Sequence, residues 1–208
     1  LARAEAHLER KRPDEARLDL ERAAALDGRS SEGRRLAARG LLLEKKPEEA
    51  LAAVNEAIRL GPADGPLELQ RALVLQALGR TEEAMDAYED AIRVDPRLPE
   101  IYQERSWLWM AIKRWDLASA DLTRLLELDP RFPGAAYWLA MARYQANDLA
   151  GATELLDRLL QGTPRDREAL LLLAAVHSSA GRSAEALEVA TRLVELDPTN
   201  AASRKVRA

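Results

Sequence analysis

Short apolar runs that end in proline recur along this chain. LLELDP stands at 125–130, LLQGTP at 159–164 and LVELDP at 193–198, each one 34 residues beyond the last. Prolines at 62, 96, 130, 164 and 198 share that spacing, and one further step back falls on Gly28 in AALDG. A fixed period of this length marks a repeat array. Setting this residue as position 32 gives repeats at 1–30 (lacking its first four positions), 31–64, 65–98, 99–132, 133–166 and 167–200, with 201–208 beginning a further unit. Two columns test the register. Position 8 reads Ala4, Ala38, Ala72, Ser106, Ala140 and Ala174, and position 20 reads Ala16, Ala50, Ala84, Ala118, Ala152 and Ala186. Small residues recurring on two helices let those helices approach closely, where a larger side chain would overpack the contact.

The same register predicts where the helices start and stop. Position 17 opens the second helix of each unit and holds Pro13, Pro47, Thr81 and Ser183 in four repeats. Pro suits a first helical turn, and Thr or Ser is expected to cap. Acidic pairs follow at 14–15, 48–49 and 82–83, complementing the positive end of the helix dipole. Gly79, Gly181 and Asn147-Asp148 stop the first helix in three repeats, and Pro at position 32 stops the second. GPADGP at 61–66 reads as a rigid inter-repeat turn. Each unit is thus two helices of roughly 14 residues that cannot bury their apolar faces alone, so neighbouring units must stack.

Composition supports an all-helical chain and narrows its chemistry. Hydrophobic residues make up 47% and charged residues 32% of 208, with Ala, Leu, Arg and Glu prominent. The net charge of −4 is spread in interleaved signs, which argues against a nucleic-acid surface. No cysteine is present, so disulfides and thiolate chemistry are excluded. No apolar run approaches the length of a membrane span. The opening LARAEAHLER lacks Met and a signal pattern, so an excerpt or a processed product is expected. Arg-over-Lys usage in an Ala-rich chain suggests a bacterial source, with the cytoplasm favoured over the periplasm. His7 and His177 lie five periods apart at position 11 and read as packing residues. With no phosphate loop, nucleophile motif or metal-ligand cluster, neither catalysis nor a cofactor is expected.

The period, the two small columns and Pro at position 32 resemble the tetratricopeptide repeat family. The third repeat fits best, through Ala72, Gly79, Ala84, Tyr88, Ala91 and Pro96. The resemblance covers about 200 residues. It implies an all-α, right-handed superhelical solenoid of stacked helix-turn-helix repeats, forming a single array over 1–208. It also implies protein recognition: a non-catalytic scaffold holding a peptide or helical segment of a partner in a concave groove. Two alternatives stay open, the recognition arm of a larger enzyme and a scaffold that self-assembles through its end repeats.

In that family the first helix of each unit lines the groove through positions 2, 5, 9, 12 and 13. Carried over, these columns nominate Arg35, Arg39, Leu69, Leu73, Gln103, Trp107, Met110, Tyr137, Met141 and Tyr144 as partner-binding residues. Eight of the nine aromatic residues lie between 102 and 144, concentrating the signal in the fourth and fifth repeats. Packing alone accounts for Tyr102 and Trp109 at positions 4 and 11, and Trp138 at position 6 fits either reading. Arg35 and Arg39, one turn apart, are placed to hold a partner carboxylate. The carboxylate clamp of some chaperone-binding members is not expected, because Leu69, Gln70, Leu73, Glu100 and Glu104 occupy its positions.

The family's Trp at position 4 and Tyr at position 11 are absent. Arg143 is the oddest replacement, since a guanidinium at a packing position must snorkel or find a partner. The same repeat carries Gly162 where others have Leu or Val. Residues 133–166 are therefore expected to be the loosest unit: native-state hydrogen exchange should find their amides the least protected of the complete repeats.

Overall fold

The computed structural model describes residues 1–26, 31–61 and 64–196. All of its described secondary structure is helical, in twelve helices. The first helices of the six repeats are α1 (Ala2–Glu9), α3 (Ser31–Leu43), α5 (Gly65–Ala77), α7 (Pro99–Ala111), α9 (Ala135–Gln145) and α11 (Arg167–Ser179). The second helices are α2 (Pro13–Leu26), α4 (Pro47–Leu60), α6 (Thr81–Val94), α8 (Trp115–Leu128), α10 (Leu149–Gly162) and α12 (Ser183–Leu196). Every second helix runs from position 17 to position 30. Pro96, Pro130 and Pro164 lie just beyond α6, α8 and α10. Gly28, Pro62, Pro198 and the start of a seventh unit at 201–208 lie outside the described residues.

The chain divides into two compact units, Leu1–Ile101 and Tyr102–Ala208. In the first, Leu8, Ala16, Leu20 and Leu36 form one core layer, and Ala38, Ala50, Val54, Ala57, Leu67 and Val74 form the next. In the second, a continuous core runs through α9 to α12, from Ala140 and Leu156 to Val189 and Leu193. Within each unit the helices of a repeat pair with each other, and successive pairs pack through α2 on α3, α4 on α5, α8 on α9 and α10 on α11, which is the stacking the repeat predicts.

The two small columns are buried in every hairpin. At position 8 all six residues are at most 1% exposed, and at position 20 five are fully buried and Ala186 is 8% exposed. Ser106 fits the Ala column because its hydroxyl donates to the Gln103 carbonyl at 2.7 Å, leaving no unpaired polar atom. Position 24 supplies the bulk beside these contacts, as Leu20, Val54, Tyr88, Leu122, Leu156 and Ala190, all buried. The Tyr88 hydroxyl donates to Gln76 Oε1 at 2.9 Å.

The turn between the two helices is the same in all six repeats. Position 15 takes a left-handed backbone, with φ of 55° at Lys11, 60° at Lys45, 72° at Gly79, 61° at Lys113, 65° at Asn147 and 71° at Gly181. The N–H of position 16 donates back to the carbonyl of position 11 at 2.8–3.0 Å in every repeat, from Arg12 to His7 through Arg182 to His177. The position-15 N–H donates to the carbonyl of position 12. This is a Schellman closure, which satisfies the last carbonyls of the first helix and reverses the chain. Three of the six turns carry out with lysine what glycine does without steric cost.

The caps differ from the expectation. Thr81 and Ser183 are the first residues of their helices rather than caps, because the turn places the cap one residue earlier, at position 16. Arg80 occupies that site without a side-chain cap, and in the fifth repeat Asp148 accepts from the Gly151 N–H at 2.9 Å. Asp64 and Asp166 cap α5 and α11, accepting from Leu67 and Ala169. The GPADGP segment is accordingly a helix start in its second half: Asp64 caps while Gly65 and Pro66 open α5. A Cβ on Gly65 would come 2.6 Å from the Asp95 Cβ, so the close approach of that link requires glycine.

Arg143 finds its partner at the turn. Its Nε lies 3.9 Å from Asp148 Oδ2, and the neighbouring Gly151 makes room for the pair. A Cβ there would collide with Asp148 Oδ2 and come 2.7 Å from Arg143 Nη1. The odd arginine, the Asp cap and the glycine are thus one coupled departure from the repeat pattern.

Replacing Lys45 or Lys113 by Gly should relieve the left-handed backbone. Each change is expected to raise unfolding free energy by about 0.5–1 kcal/mol, after allowing for the greater freedom of glycine in the unfolded chain. Urea titration followed by circular dichroism measures it.

Candidate functional site

The nominated residues fall in both compact units. In the first unit, Arg35 is committed within its own helix. Its Nε and Nη2 each lie 2.7 Å from the two oxygens of Glu32, and Glu5 stands 3.8 Å away. The hydrogen bonds that Arg35 donates to Glu32, with the charges of Glu32, Glu5 and Asp64, hold the guanidinium proton above its ordinary affinity against an opposing effect of burial. A carboxylate seeking Arg35 must therefore displace Glu32. Arg39, Leu69 and Leu73 are half-buried on α3 and α5.

In the second unit the structure separates what the sequence grouped into one patch. Tyr137, Met141 and Tyr144, at positions 5, 9 and 12 of α9, line an open groove of about 520 Å³. Its other wall is α11, through Glu168, Leu171, Leu172 and Ala175. Gln103 and Trp107 instead line a narrow crevice of about 20 Å³ with Leu122, Leu125 and Phe132. Met110 is half-buried and lines neither hollow. Trp138 lines both, and its ring meets Tyr137 edge-on at 5.4 Å and 77°. Trp107 and Trp138 remain 38% and 40% exposed, unusual for so large an apolar surface.

The residues missed by the sequence reading are Glu168, Leu171 and Ala175, with Gln145 and Leu172 beside them, whereas Trp138, which fitted either reading, lines the groove. The first three stand at positions 2, 5 and 9 of the sixth repeat, so the columns already used pointed to them. The aromatic concentration drew attention to 102–144 and away from α11.

A side-chain hydrogen bond joins the groove walls. The Tyr144 hydroxyl lies 3.2 Å from Ser179 Oγ and ties α9 to the end of α11. Partial burial, with the negative charges of Glu168 and Asp166, pushes the Tyr137 hydroxyl above its ordinary pKa, so it stays protonated at neutral pH. Below the crevice, Arg105 grips the buried Asp121 through two bonds of 2.8 and 2.6 Å and fixes α7 against α8.

Neither histidine lines the groove or the crevice. His7 Nδ1 sits 2.8 Å from Glu15, whereas His177 is buried and burial, helped by Arg182, lowers its pKa, keeping it neutral. Trp109 packs at position 11 with the Arg114 guanidinium 5.9 Å from its ring. Among the described residues no group of three or more His, Asp or Glu side chains is arranged to hold a metal ion. No described helix is long and apolar enough to cross a membrane.

Models of the tetratricopeptide repeat match residues 1–65, 66–108, 110–176 and 143–208. No curated protein matches the chain in sequence. Among solved structures, YrrB, a tetratricopeptide repeat protein described as having an unusual peptide-binding site, superposes with a TM-score of 0.76 at 17% identity, covering 90% of this chain and 97% of that one. PilF of Pseudomonas aeruginosa gives 0.75 at 20% identity, covering 97% and 92%. MamA from Desulfovibrio magneticus RS-1 gives 0.70 at 20% identity, covering 82% and 97%. At these identities the structural likeness speaks for the fold alone, while the sequence models span nearly the whole chain. Six hairpins in one register, each closed by the same turn over the same two small columns, together with those matches, establish that the chain belongs to the tetratricopeptide repeat family.

Proposed function

We propose that this chain is a non-catalytic scaffold that holds a peptide or helical segment of a partner protein in the groove between α9 and α11. One observation carries the reading: Tyr137, Met141 and Tyr144 meet Leu171 and Ala175 across one open groove on the first-helix face of the second unit. Tyr offers large contact area with little rotational freedom to lose, and Met adapts to irregular partners. The YrrB peptide-binding site, on a chain of the same fold, supports the reading by analogy. Trp107 and Trp138 extend the apolar surface beyond the groove and would add contact area for a longer segment.

The test is selection of peptides from a random display library on the wild-type chain, followed by affinity measurement on variants. Tyr144→Ala is expected to weaken the selected peptides by about 1–3 kcal/mol, and Met141→Asp at least as much. Circular dichroism checks that both variants keep their helix content. Unchanged affinity in folded variants would reject the groove.

A further inference from the structure

We propose that the α9–α11 groove selects segments in which a large apolar side chain is followed or preceded, about three residues away, by lysine or arginine. This rests on the peptide-holding reading above and names the chemistry of the partner. The groove has an apolar end and an acidic end. At the apolar end, Met141 from α9 and Leu171, Leu172 and Ala175 from α11 line the groove, with Tyr144 and Gln145 beyond them. Position 9 otherwise reads Glu5, Arg39, Leu73, Trp107 and Met141, so Ala175 is the smallest residue of its column. That truncation leaves space for a Leu, Met or Phe side chain.

At the other end stands Glu168, at position 2 of α11 and the single charged residue lining the groove. Among the described residues it forms no ion pair, and its side chain is exposed. Asp166, two residues before it, adds a second negative charge felt at Tyr137. Arg167, its neighbour in sequence, is not among the lining residues. The exposed face of Trp138 borders the groove and offers a ring to a cation.

The spacing follows from the helix. Glu168 and Ala175 are seven residues apart on α11, about 10 Å at 1.5 Å per residue. An extended segment advances about 3.3 Å per residue, so the same distance spans about three of its residues. An acidic residue in that place would face Glu168 and be repelled.

The test uses three pools of display peptides, each with a central Leu. The third residue on either side is fixed as Lys, Gln or Glu, and the other positions are randomised. Wild type should retain the Lys pool about three- to fivefold better than the Gln pool, the range open to an exposed charge pair, with the Glu pool weakest. Glu168→Gln should erase that ranking without abolishing binding, and raising the salt concentration should shrink it. Ala175→Trp, which fills the apolar end, should abolish retention of all three pools while helix content is unchanged. Equal retention of the pools by wild type, with Ala175→Trp still abolishing it, would overturn the cation preference and leave the groove reading standing. No retention sensitive to Ala175→Trp in any pool would overturn both.

Discussion

The architecture depends on how closely two helices of one repeat can approach. Position 8 on the first helix and position 20 on the second are buried small residues in all six repeats, and small side chains are what allow two helices to come close. Because packing at such a point tolerates little added volume, the columns fix the distance between the two helices. The Schellman turn sets their direction. With its carbonyls satisfied by positions 15 and 16 in each repeat, the turn fixes the reversal independently of the side chain it carries. Distance and direction together align Tyr137, Met141 and Tyr144 of α9 and Glu168, Leu171 and Ala175 of α11 along one groove.

Around that fixed frame the repeats exchange chemistry at equivalent places. Positions 7 and 23 face each other across the hairpin. They hold Arg3 and Asp19 at 2.7 Å in the first repeat and Arg105 and Asp121 at 2.6 Å in the fourth. In the fifth and sixth repeats the same places hold Leu139 with Leu155 and Leu173 with Val189. An ion pair and an apolar pair thus serve one packing position; for the buried Arg105–Asp121 pair this is consistent with the small net difference between a satisfied buried pair and a hydrophobic replacement. In the third repeat Ala87 offers Arg71 no partner at position 23, and Arg71 turns to Glu68 at 3.2 Å and Asp90 at 3.7 Å.

Most of the fold was legible because its determinants are periodic and local. The Ala columns, the proline spacing and the acidic first turns each recur in the sequence with the structure's own period. The turns were half legible. Gly79, Gly181 and Asn147 announce a left-handed backbone, but Lys11, Lys45 and Lys113 do not, since lysine carries no preference for that conformation. The capping role expected of Thr81 and Ser183 failed by one residue, a shift set by the turn geometry that residue type alone does not reveal. At the groove, α9 was found from its aromatics. The opposing wall was not, because Glu168, Leu171 and Ala175 are ordinary helix residues whose importance comes from what they face. The join of Trp138 to both hollows likewise depends on three-dimensional neighbours.

Position 20 is a buried alanine in every repeat and should respond alike to added volume wherever it is tested. The direct measurement is equilibrium unfolding of Ala50→Leu, Ala118→Leu and Ala152→Leu, each made separately, beside Ala52→Leu at an exposed position of α4. Each of the three column variants should lose about 1–3 kcal/mol of stability to overpacking, and the exposed control should change by less than about 0.5 kcal/mol. Column variants as stable as the control, or losses confined to one repeat, would contradict it.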